Sequence, residues 1–449
     1  MLIDWLNKFF SFFNRTSPII VITPRIGSLG DGAEEIYYGL SKARREGKRV
    51  LFLSHKEIPW KFRLPVSNRE LLKIESPFAV DSNHFLPTFL EWLLTFFFTV
   101  SHYFYLFWRK YLTGRNQVLK LTPRNSRYRC PTIGIEYLWN PERTCLFSWN
   151  NIQEERWKKE YEEYLPVFMN LSKKKHAEVV RVNEMGIPLE DWFVCLHVRE
   201  PGFKKNEPQH NLLRNANILN YLEGIKLITQ KGGWVVRLGD PTMTPLPKMD
   251  HVIDYALSPM KNSLMDIYLM QECRFLIGTN SGPYDLARLL QKRELLINVS
   301  EWFYTWPIQK RGRMITKHFF STLLGRFLSI QEMFEVSPDC LYHFETNIGA
   351  YKLYENTVDE IRDAVEEFLE EPANSSHSDL QIAANKARRN RVLNWIDGEY
   401  FISNYPQFSS VEQKYRIASK LALQGTLSDS FLKKYWLENK PFENVQRFS

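Results

Sequence analysis

Three segments of the sequence place polar side chains directly after short apolar runs. They are His197-Val198-Arg199-Glu200, Arg237-Leu238-Gly239-Asp240 and Gly278-Thr279-Asn280-Ser281-Gly282. The preceding runs are rich in β-branched and aromatic residues, so each predicts a buried strand whose carboxyl end carries the polar group. Ligands of open α/β sheets bind outside such strand ends. The sequence therefore predicts that the three segments line one crevice.

The residue types at these strand ends suit an anionic, nucleotide-like ligand. Arginines can pair with phosphate oxygens in a forked geometry. The N–H groups and hydroxyls of the third segment precede a predicted helix, whose N-terminus favours an anion. The residues predicted to bind a diphosphate-bearing ligand are Arg199, Glu200, Arg237, Gly239, Asp240, Thr279, Asn280, Ser281 and Gly282. His197 is a catalytic candidate at the same edge, although a histidine on a strand more often has a structural role.

A glycine-rich turn, Gly27-Ser28-Leu29-Gly30-Asp31-Gly32, forms a second candidate site near the N-terminus. Its spacing is not the G-x-G-x-x-G of dinucleotide-binding folds, and Asp31 would repel a pyrophosphate, so an NAD site is disfavoured. Gly27 and Gly30 let the backbone approach a neutral acceptor closely. Asp31 or Glu34 would then lie near the reacting hydroxyl as catalytic candidates. The alternative is a tight strand–helix turn with a capping aspartate.

Several common catalytic motifs are missing from the sequence. No two aspartates have the spacing D-x-D, so no carboxylate pair is evident that would hold Mg²⁺ or Mn²⁺ on a diphosphate. We therefore expect neither a metal nor a cofactor, and we expect cations and helix dipoles to stabilise the leaving group. The G-x-S-x-G, Walker A and H-E-x-x-H patterns are absent too, which argues against hydrolases, NTPases and zinc peptidases of those types.

Alternating strands and helices must position these residues. Near the N-terminus we predict a strand at 18–23, a helix at 33–45 and a strand at 49–53, which together form a βαβ unit. A second series has strands at 193–198, 234–237, 275–277 and 295–299, with helices at 218–230, 263–272 and 283–290. The predicted fold is α/β, with two Rossmann-like, doubly wound domains facing a cleft.

The C-terminal part of the sequence changes character. Thr357-Val358-Asp359-Glu360 predicts a capping box that opens a helix to Glu371, and 372–378 has the composition of a linker. From Leu380 onward the pattern is helical, without strand alternation. We therefore predict an N-terminal Rossmann-like domain at 1–183, a C-terminal Rossmann-like domain at 184–350 and a helical extension at 351–449.

Length, charge and cysteine content narrow the class of protein. A chain of 449 residues is too long for one core, which agrees with two large domains. Its net charge is +8, but residues 92–135 contain seven of its cations and no acidic residue, so a basic surface for nucleic acid is not expected. The five cysteines form no C-x-x-C and are widely spaced, which favours a reduced, cytoplasmic setting.

Residues 85–129 predict contact with a membrane surface. Seventeen uncharged residues run from Trp92 to Trp108, and seven cations follow before residue 130. A spanning helix would separate the first two strands from the rest of the chain, so we disfavour a span. An interfacial helix on an anionic membrane, at the inner face of the cytoplasmic membrane, is the favoured interpretation. The alternative is a buried helix of an aromatic core.

Several longer segments resemble a family of bacterial glycosyltransferases that are often found with surface-polysaccharide functions. The resemblance rests on the segments 195–203, 214–216, 232–240, 252–256 and 275–282, and it covers about 184–344 well. The His197-Val198-Arg199 element is also similar to the H-x-R element of fucosyltransferases of the two-domain GT-B type. The N-terminal third matches only loosely.

The resemblance implies a GT-B fold, a nucleotide-sugar donor and no required metal. It makes Arg199 the leading ligand of the donor diphosphate, adds Arg214 and Asn215 to the donor-binding residues, and makes the N-terminal region the acceptor domain. The implied activity is sugar transfer to a glycan or lipid-linked acceptor, in cell-surface polysaccharide or glycoconjugate synthesis. Two alternatives stay open: a non-catalytic nucleotide- or glycan-binding protein, and another Rossmann-type transferase.

Overall fold

The structure is a computed structural model. It describes residues 19–22, 29–45, 47–52, 68, 70–71, 76–79, 182–202, 209–303, 305–336, 350–397 and 424–439. The chain divides into two compact units, one formed by Met1–Ala177 with Tyr405–Arg416 and the other by Glu178–Asn404 with Ile417–Ser449. Residues 85–129, for which we predict membrane contact, lie outside the described residues. No helix in the described ranges is long and apolar enough to cross a membrane.

The described part of the first unit is the predicted βαβ element. Strand β1 (Ile19–Ile22) pairs in parallel with β2 (Arg49–Phe52), and helix α1 (Leu29–Arg45) connects them. The helix buries Ala33, Ile36, Tyr37, Leu40 and Ala43, which follow the i, i+3, i+4, i+7 spacing of one helical face. It begins four residues earlier than predicted, so Gly30 to Gly32 belong to its first turn and not to a preceding loop.

The second unit is built on a seven-stranded parallel sheet. Its strands are β3 (Phe193–His197), β4 (Trp234–Arg237), β5 (Val252–Ile253), β6 (Phe275–Gly278), β7 (Arg293–Val299), β8 (Arg313–Thr316) and β12 (Thr426–Leu427). The spatial order is β12-β8-β7-β6-β3-β4-β5, and every pairing is parallel. The predicted α/β class is confirmed for this unit. The arrangement of two domains around a cleft stays a prediction.

Helices accompany the sheet strands. They are α2 (Gln209–Leu212), α3 (Leu222–Gln230), α4 (Ser263–Glu272), α5 (Gly282–Leu289), α6 (Ile330–Glu335), α7 (Val358–Glu370), α8 (Asp379–Asp397) and α9 (Asp429–Tyr435). The central strands β3 and β6 are buried along their whole length, as runs of apolar residues between two helical layers should be. A three-stranded antiparallel sheet of β9 (His318–Ser321), β10 (Arg326–Phe327) and β11 (Tyr351–Tyr354) follows β8.

Side-chain caps fix the starts of helices α7 and α4. The Thr357 hydroxyl accepts from the N–H of Glu360, whose carboxylate accepts from the N–H of Thr357, so the predicted capping box opens α7. From the sequence, the serine at 263 predicts the N-cap of helix α4. The structure instead caps this helix with Asn262, whose amide oxygen accepts from the N–H groups of Leu264 and Met265. Asparagine and serine are equally good caps, so the sequence alone did not separate them.

The C-terminal segment contains a strand that the sequence pattern does not predict. Thr426 and Leu427 form β12, which extends the parallel sheet beyond β8. Nearby, the Trp306 indole donates to the carbonyl of Gly425 over 2.7 Å. A side chain at Gly425 would meet the Cβ of Pro307 at 2.6 Å, so this close approach needs glycine. The C-terminal segment is thus part of the second unit's core as well as a run of helices.

The strand order creates a switch point between β3 and β6. From β3 the chain proceeds outward through β4 to β5, and then returns to the other side of β3 with β6 and β7. Crossover connections on the two sides of such a point lie on opposite faces of the sheet and leave a crevice at its carboxyl edge. The first and third polar segments of the sequence follow these two strands.

Candidate functional site

Three hydrogen bonds join the β3 and β6 ends at the switch point. The Ser281 hydroxyl and His197 Nδ1 lie 2.9 Å apart in a hydrogen bond. The N–H of Arg199 donates to the Thr279 hydroxyl over 3.1 Å, and the N–H of Thr279 donates to the carbonyl of His197 over 3.1 Å. The structure therefore brings His197, Arg199, Thr279 and Ser281 together, as the sequence predicts.

Three successive N–H groups lie where helix α5 begins. Ser281 is the N-cap residue, but its hydroxyl makes no capping bond because it contacts His197 and the Thr279 carbonyl. Within the described part of the chain, no acceptor receives the N–H groups of Asn280, Ser281 and Gly282. Unpaired N–H groups at a helix N-terminus attract an anion. Asp285 in the first turn opposes part of this attraction.

The Arg199 side chain is held by the loop that follows β3. Its Nη1 donates to the carbonyl of Asn211 over 2.8 Å and to the amide oxygen of Asn215. These two bonds orient the guanidinium. Asn215 thus contacts Arg199, and its predicted role in donor binding stays a prediction. Arg214 turns to the amide oxygen of Asn211 instead.

His197 lies in an environment that favours its neutral form. Its side chain is only 8% exposed. Burial first, and then the positive charges of Arg199 and Arg237, lower the pKa of His197 to about 4, although Asp240 opposes the shift. A general base works best with a pKa near the working pH. The geometry therefore suits a neutral histidine that positions Ser281 better than a catalytic base.

Arg237 does not present its guanidinium to the crevice, contrary to the sequence-based prediction. The side chain is fully buried, and Nη2 donates to Glu200 Oε2 over 2.6 Å. Nη1 donates to the carbonyl of Thr244 over 2.6 Å and to Asp254 Oδ1 over 3.2 Å. Two carboxylates thus neutralise Arg237. Because Glu200 belongs to the same ion pair, Arg237 and Glu200 stabilise the edge of the sheet instead of contacting an anion.

The remaining residues of the second polar segment shape the loop after β4. The Asp240 carboxylate accepts from the N–H of Thr242 over 2.9 Å, which closes a tight turn. Gly239 adopts a φ of +158°, and a side chain there would meet the sulfur of Met243 at 2.0 Å. Close packing of backbone against Met243 is therefore the reason for this glycine. Among the described residues, the side-chain hydrogen bonds of Asp240 go to Thr242 and not to Arg199.

Asn280 and Gly282 complete the third polar segment. The Asn280 amide donates to Glu301 Oε2 over 2.8 Å, while its own buried oxygen has no partner in the described part of the chain. Glu301 follows β7 and was missed by the sequence analysis, because the carboxylate stands alone in an unremarkable Ser-Glu-Trp context. Gly282 is the first residue of α5.

A second missed residue, Lys317, lies between β8 and β9. Its side chain is only 6% exposed, and Nζ donates to the carbonyl of Asn215 over 2.6 Å. The available signal was a single lysine inside the stretch from Met314 to Phe320, in which four of the other six residues are Met, Ile or Phe. Lysine is almost never fully buried unless its charge is paired, so a lysine in such a stretch indicates a specific role.

The acceptor-side residues predicted near the N-terminus are described only in part. Gly27 lies outside the described residues. Gly30 is buried in the first turn of α1, so it does not form a loop. Asp31 and Glu34 lie on the same helix, and their side chains lie outside what the structure describes. Their catalytic role stays a prediction. In the described ranges, no group of three or more His, Cys, Asp or Glu side chains could hold a metal ion.

Comparisons with known proteins supply no residue roles for this chain. No protein-family model and no curated protein matches the chain. One matching solved structure is the dodecameric iron-containing heptosyltransferase TibC in complex with ADP-D-beta-D-heptose, at 16% identity and a TM-score of 0.19. That match covers 25% of this chain and only 29% of the heptosyltransferase. Another is a glycosyl transferase of family 9 from Veillonella parvula, at 12% identity and a TM-score of 0.25, covering 66% of this chain and 77% of that one. Superpositions this poor carry no residue across.

Proposed function

We propose that the protein is a glycosyltransferase that binds the diphosphate of a nucleotide-sugar donor at the switch point of its second unit. One observation carries the proposal: Arg199 and the unpaired N–H groups that open α5 meet where β3 and β6 diverge. Open α/β sheets bind their ligands at this position. The family resemblance of the same segments supplies the reaction class.

The residues of the site have separable roles in this proposal. Arg199 and the N–H groups of Asn280, Ser281 and Gly282 stabilise the negative charge that develops on the leaving diphosphate. Neutral His197 holds Ser281, which keeps the start of α5 in place. Asp31 and Glu34 in the N-terminal region remain the candidates that accept the proton of the attacking hydroxyl.

Several finer features belong to the same proposal. The acceptor is a glycan or a lipid-linked sugar, and the product serves cell-surface polysaccharide or glycoconjugate synthesis. The enzyme works in the cytoplasm, docked peripherally on the inner face of the cytoplasmic membrane through residues 85–129. No metal takes part, since cations and helix N–H groups cover the charge of the diphosphate.

The test is hydrolysis of a panel of nucleotide sugars by the purified full chain. Slow release of a single nucleoside diphosphate, which Arg199→Ala abolishes, is the expected result. The release should be unchanged in EDTA, and activity that EDTA removes and Mg²⁺ restores would overturn metal independence. Binding of a nucleotide sugar without turnover would instead support a non-catalytic binding protein. A chain that binds none of the panel overturns the proposal.

A further inference from the structure

Lys317 is a buried cation, and few groups around it stabilise its charge. Its ammonium group has three N–H donors, and among the described residues its single hydrogen-bond acceptor is the carbonyl of Asn215 at 2.6 Å. No carboxylate in the described part of the chain forms an ion pair with it. Glu355 is close enough to affect its charge, but the Glu355 carboxylate accepts from the N–H of Asn217 at 2.9 Å and from Asn220 at 3.3 Å.

Such an arrangement is costly in the absence of an anion. Transfer of a charged side chain from water into a protein interior is unfavourable unless the charge is paired and its hydrogen bonds are satisfied. Burial accordingly lowers the pKa of Lys317, and only the charge of Glu355 works in the opposite direction. A bound anion would satisfy the remaining donors and favour the charged form of the lysine.

Asn215 links Lys317 to Arg199. Its backbone oxygen accepts from Lys317 Nζ, and its side-chain oxygen accepts from Arg199 Nη1. Two cations from the ends of β8 and β3 therefore meet on one asparagine, although three strand spacings separate those strands in the sheet. Arg237 differs from Lys317, because Arg237 forms ion pairs with two carboxylates whereas no carboxylate of the described residues forms an ion pair with Lys317.

We propose that Lys317 and Arg199 form a two-cation clamp for a diphosphate group, with Asn215 as the residue that fixes their separation. The clamp would bind the diphosphate part of the ligand. For the identity of the whole ligand, this inference rests on the proposed function. A diphosphate can belong to a nucleotide sugar or to a prenyl diphosphate that carries a lipid-linked sugar. Both present two adjacent phosphates, so the clamp suits either.

The test measures binding of inorganic pyrophosphate, of ADP, GDP and UDP, and of geranyl diphosphate by calorimetry. We compare the wild-type chain with Lys317→Met, which keeps the length of the side chain and removes its charge. The matched control is Lys261→Met, because Lys261 is a partly buried lysine of the same unit that is already paired with Asp266 at 2.8 Å. Lys317→Met should weaken pyrophosphate binding at least about tenfold, and Lys261→Met should leave it unchanged.

Thermal unfolding separates this role from a structural one. Without ligand, Lys317→Met should keep or raise the wild-type midpoint, because an uncompensated buried charge is removed. Pyrophosphate should raise the midpoint of the wild-type chain and not that of the variant. If Lys317→Met lowers the midpoint and both proteins bind pyrophosphate equally, the lysine only supports the loop and the clamp is wrong.

The clamp and the proposed function fail in different ways. Tighter binding of one nucleoside diphosphate than of pyrophosphate assigns the clamp to a nucleotide sugar, and tighter binding of geranyl diphosphate assigns it to a lipid carrier. Lysine-dependent pyrophosphate binding without turnover of any nucleotide sugar keeps the clamp and removes the glycosyltransferase. Turnover that Lys317→Met leaves intact, with unchanged affinity, removes the clamp and keeps the enzyme.

Discussion

Arg237 Nη2 lies 2.6 Å from Glu200 Oε2, and the two side chains are 0% and 8% exposed. Asp254 contacts the other terminal nitrogen of the guanidinium, and the N–H of Thr244 donates to the same Glu200 oxygen over 3.1 Å. One ion pair therefore joins the end of β3, the end of β4 and the loop that follows β4. Arg199, the residue before Glu200, donates to the carbonyl of Asn211 and to the amide oxygen of Asn215.

Loss of Arg237 should destabilise the protein. Arg237→Met leaves the buried Glu200 carboxylate and the partly exposed Asp254 carboxylate without their cation. Removal of one partner of a buried ion pair typically costs about 3–5 kcal/mol. The free energy of unfolding in urea measures the loss. Glu200→Gln should cost less, because Asp254 still pairs with the arginine. A stable Arg237→Met protein that binds nucleoside diphosphates weakly would show that Arg237 contacts the ligand after all.

Loss of Arg199 should weaken binding without weakening the fold. Arg199→Ala removes a charge-assisted contact worth about 1.5–3 kcal/mol, so affinity for the preferred nucleoside diphosphate should fall tenfold or more. Arg274→Ala is the matched control, since Arg274 is an exposed arginine that precedes β6 at the opposite end of the same sheet. Equal affinities of the two variants would remove Arg199 from the site.

The stability of the protein should depend on His197 at mildly acidic pH. The unfolded chain takes up a proton on this histidine near pH 6.5, whereas the folded protein does so only near pH 4. Stability contributed by neutral His197 is therefore complete above about pH 6.5 and is lost as the pH falls toward 4, by an amount on the order of 3 kcal/mol. The difference in unfolding free energy between the wild-type chain and His197→Gln should follow this curve. A difference independent of pH would mean that the histidine is charged or exposed in the folded protein.

Anionic vesicles should bind the full chain through residues 92–129. Phosphatidylglycerol vesicles should retain the protein in a flotation assay, and salt should weaken the retention because the seven cations are screened. Phe97→Ser, Phe104→Ser and Phe107→Ser together should release it while circular dichroism stays unchanged. A wild-type chain that ignores these vesicles, with a triple variant that unfolds, would assign the segment to a protein core.

Sequence patterns identify the strands that line the switch point but not how their side chains pair. Phe193–His197 and Trp234–Arg237 are continuous apolar runs, so period and composition suffice to predict them. Arg199 and Arg237 look alike in the sequence because each lies at the carboxyl end of an apolar run. Their different environments come from Glu200 and Asp254, which are 37 and 17 residues from Arg237 along the chain.

The other features that the sequence did not predict are a very short strand and a single buried charge. Thr426–Leu427 is a strand of two residues, too short for any periodicity, and only its pairing with β8 defines it. Lys317 is one cation between two strands, and its proximity to Asn215 depends on a contact across 102 residues. The local sequence does not indicate which distant residue a strand or side chain contacts, so these features follow only from the tertiary structure.

The pairing of β12 with β8 also sets the order in which the protein can mature during synthesis. Thr426 lies opposite Arg313, so 113 residues separate the two halves of this edge. At about 5–20 residues per second, a ribosome needs roughly 6–23 s to make the intervening chain. Throughout that interval β8 has an open, hydrogen-bonding edge in a nascent chain that already contains the rest of the sheet. The edge of β8 is therefore covered only late in synthesis. Until residue 427 has left the ribosome, this edge can pair with strands of other chains and lead to aggregation.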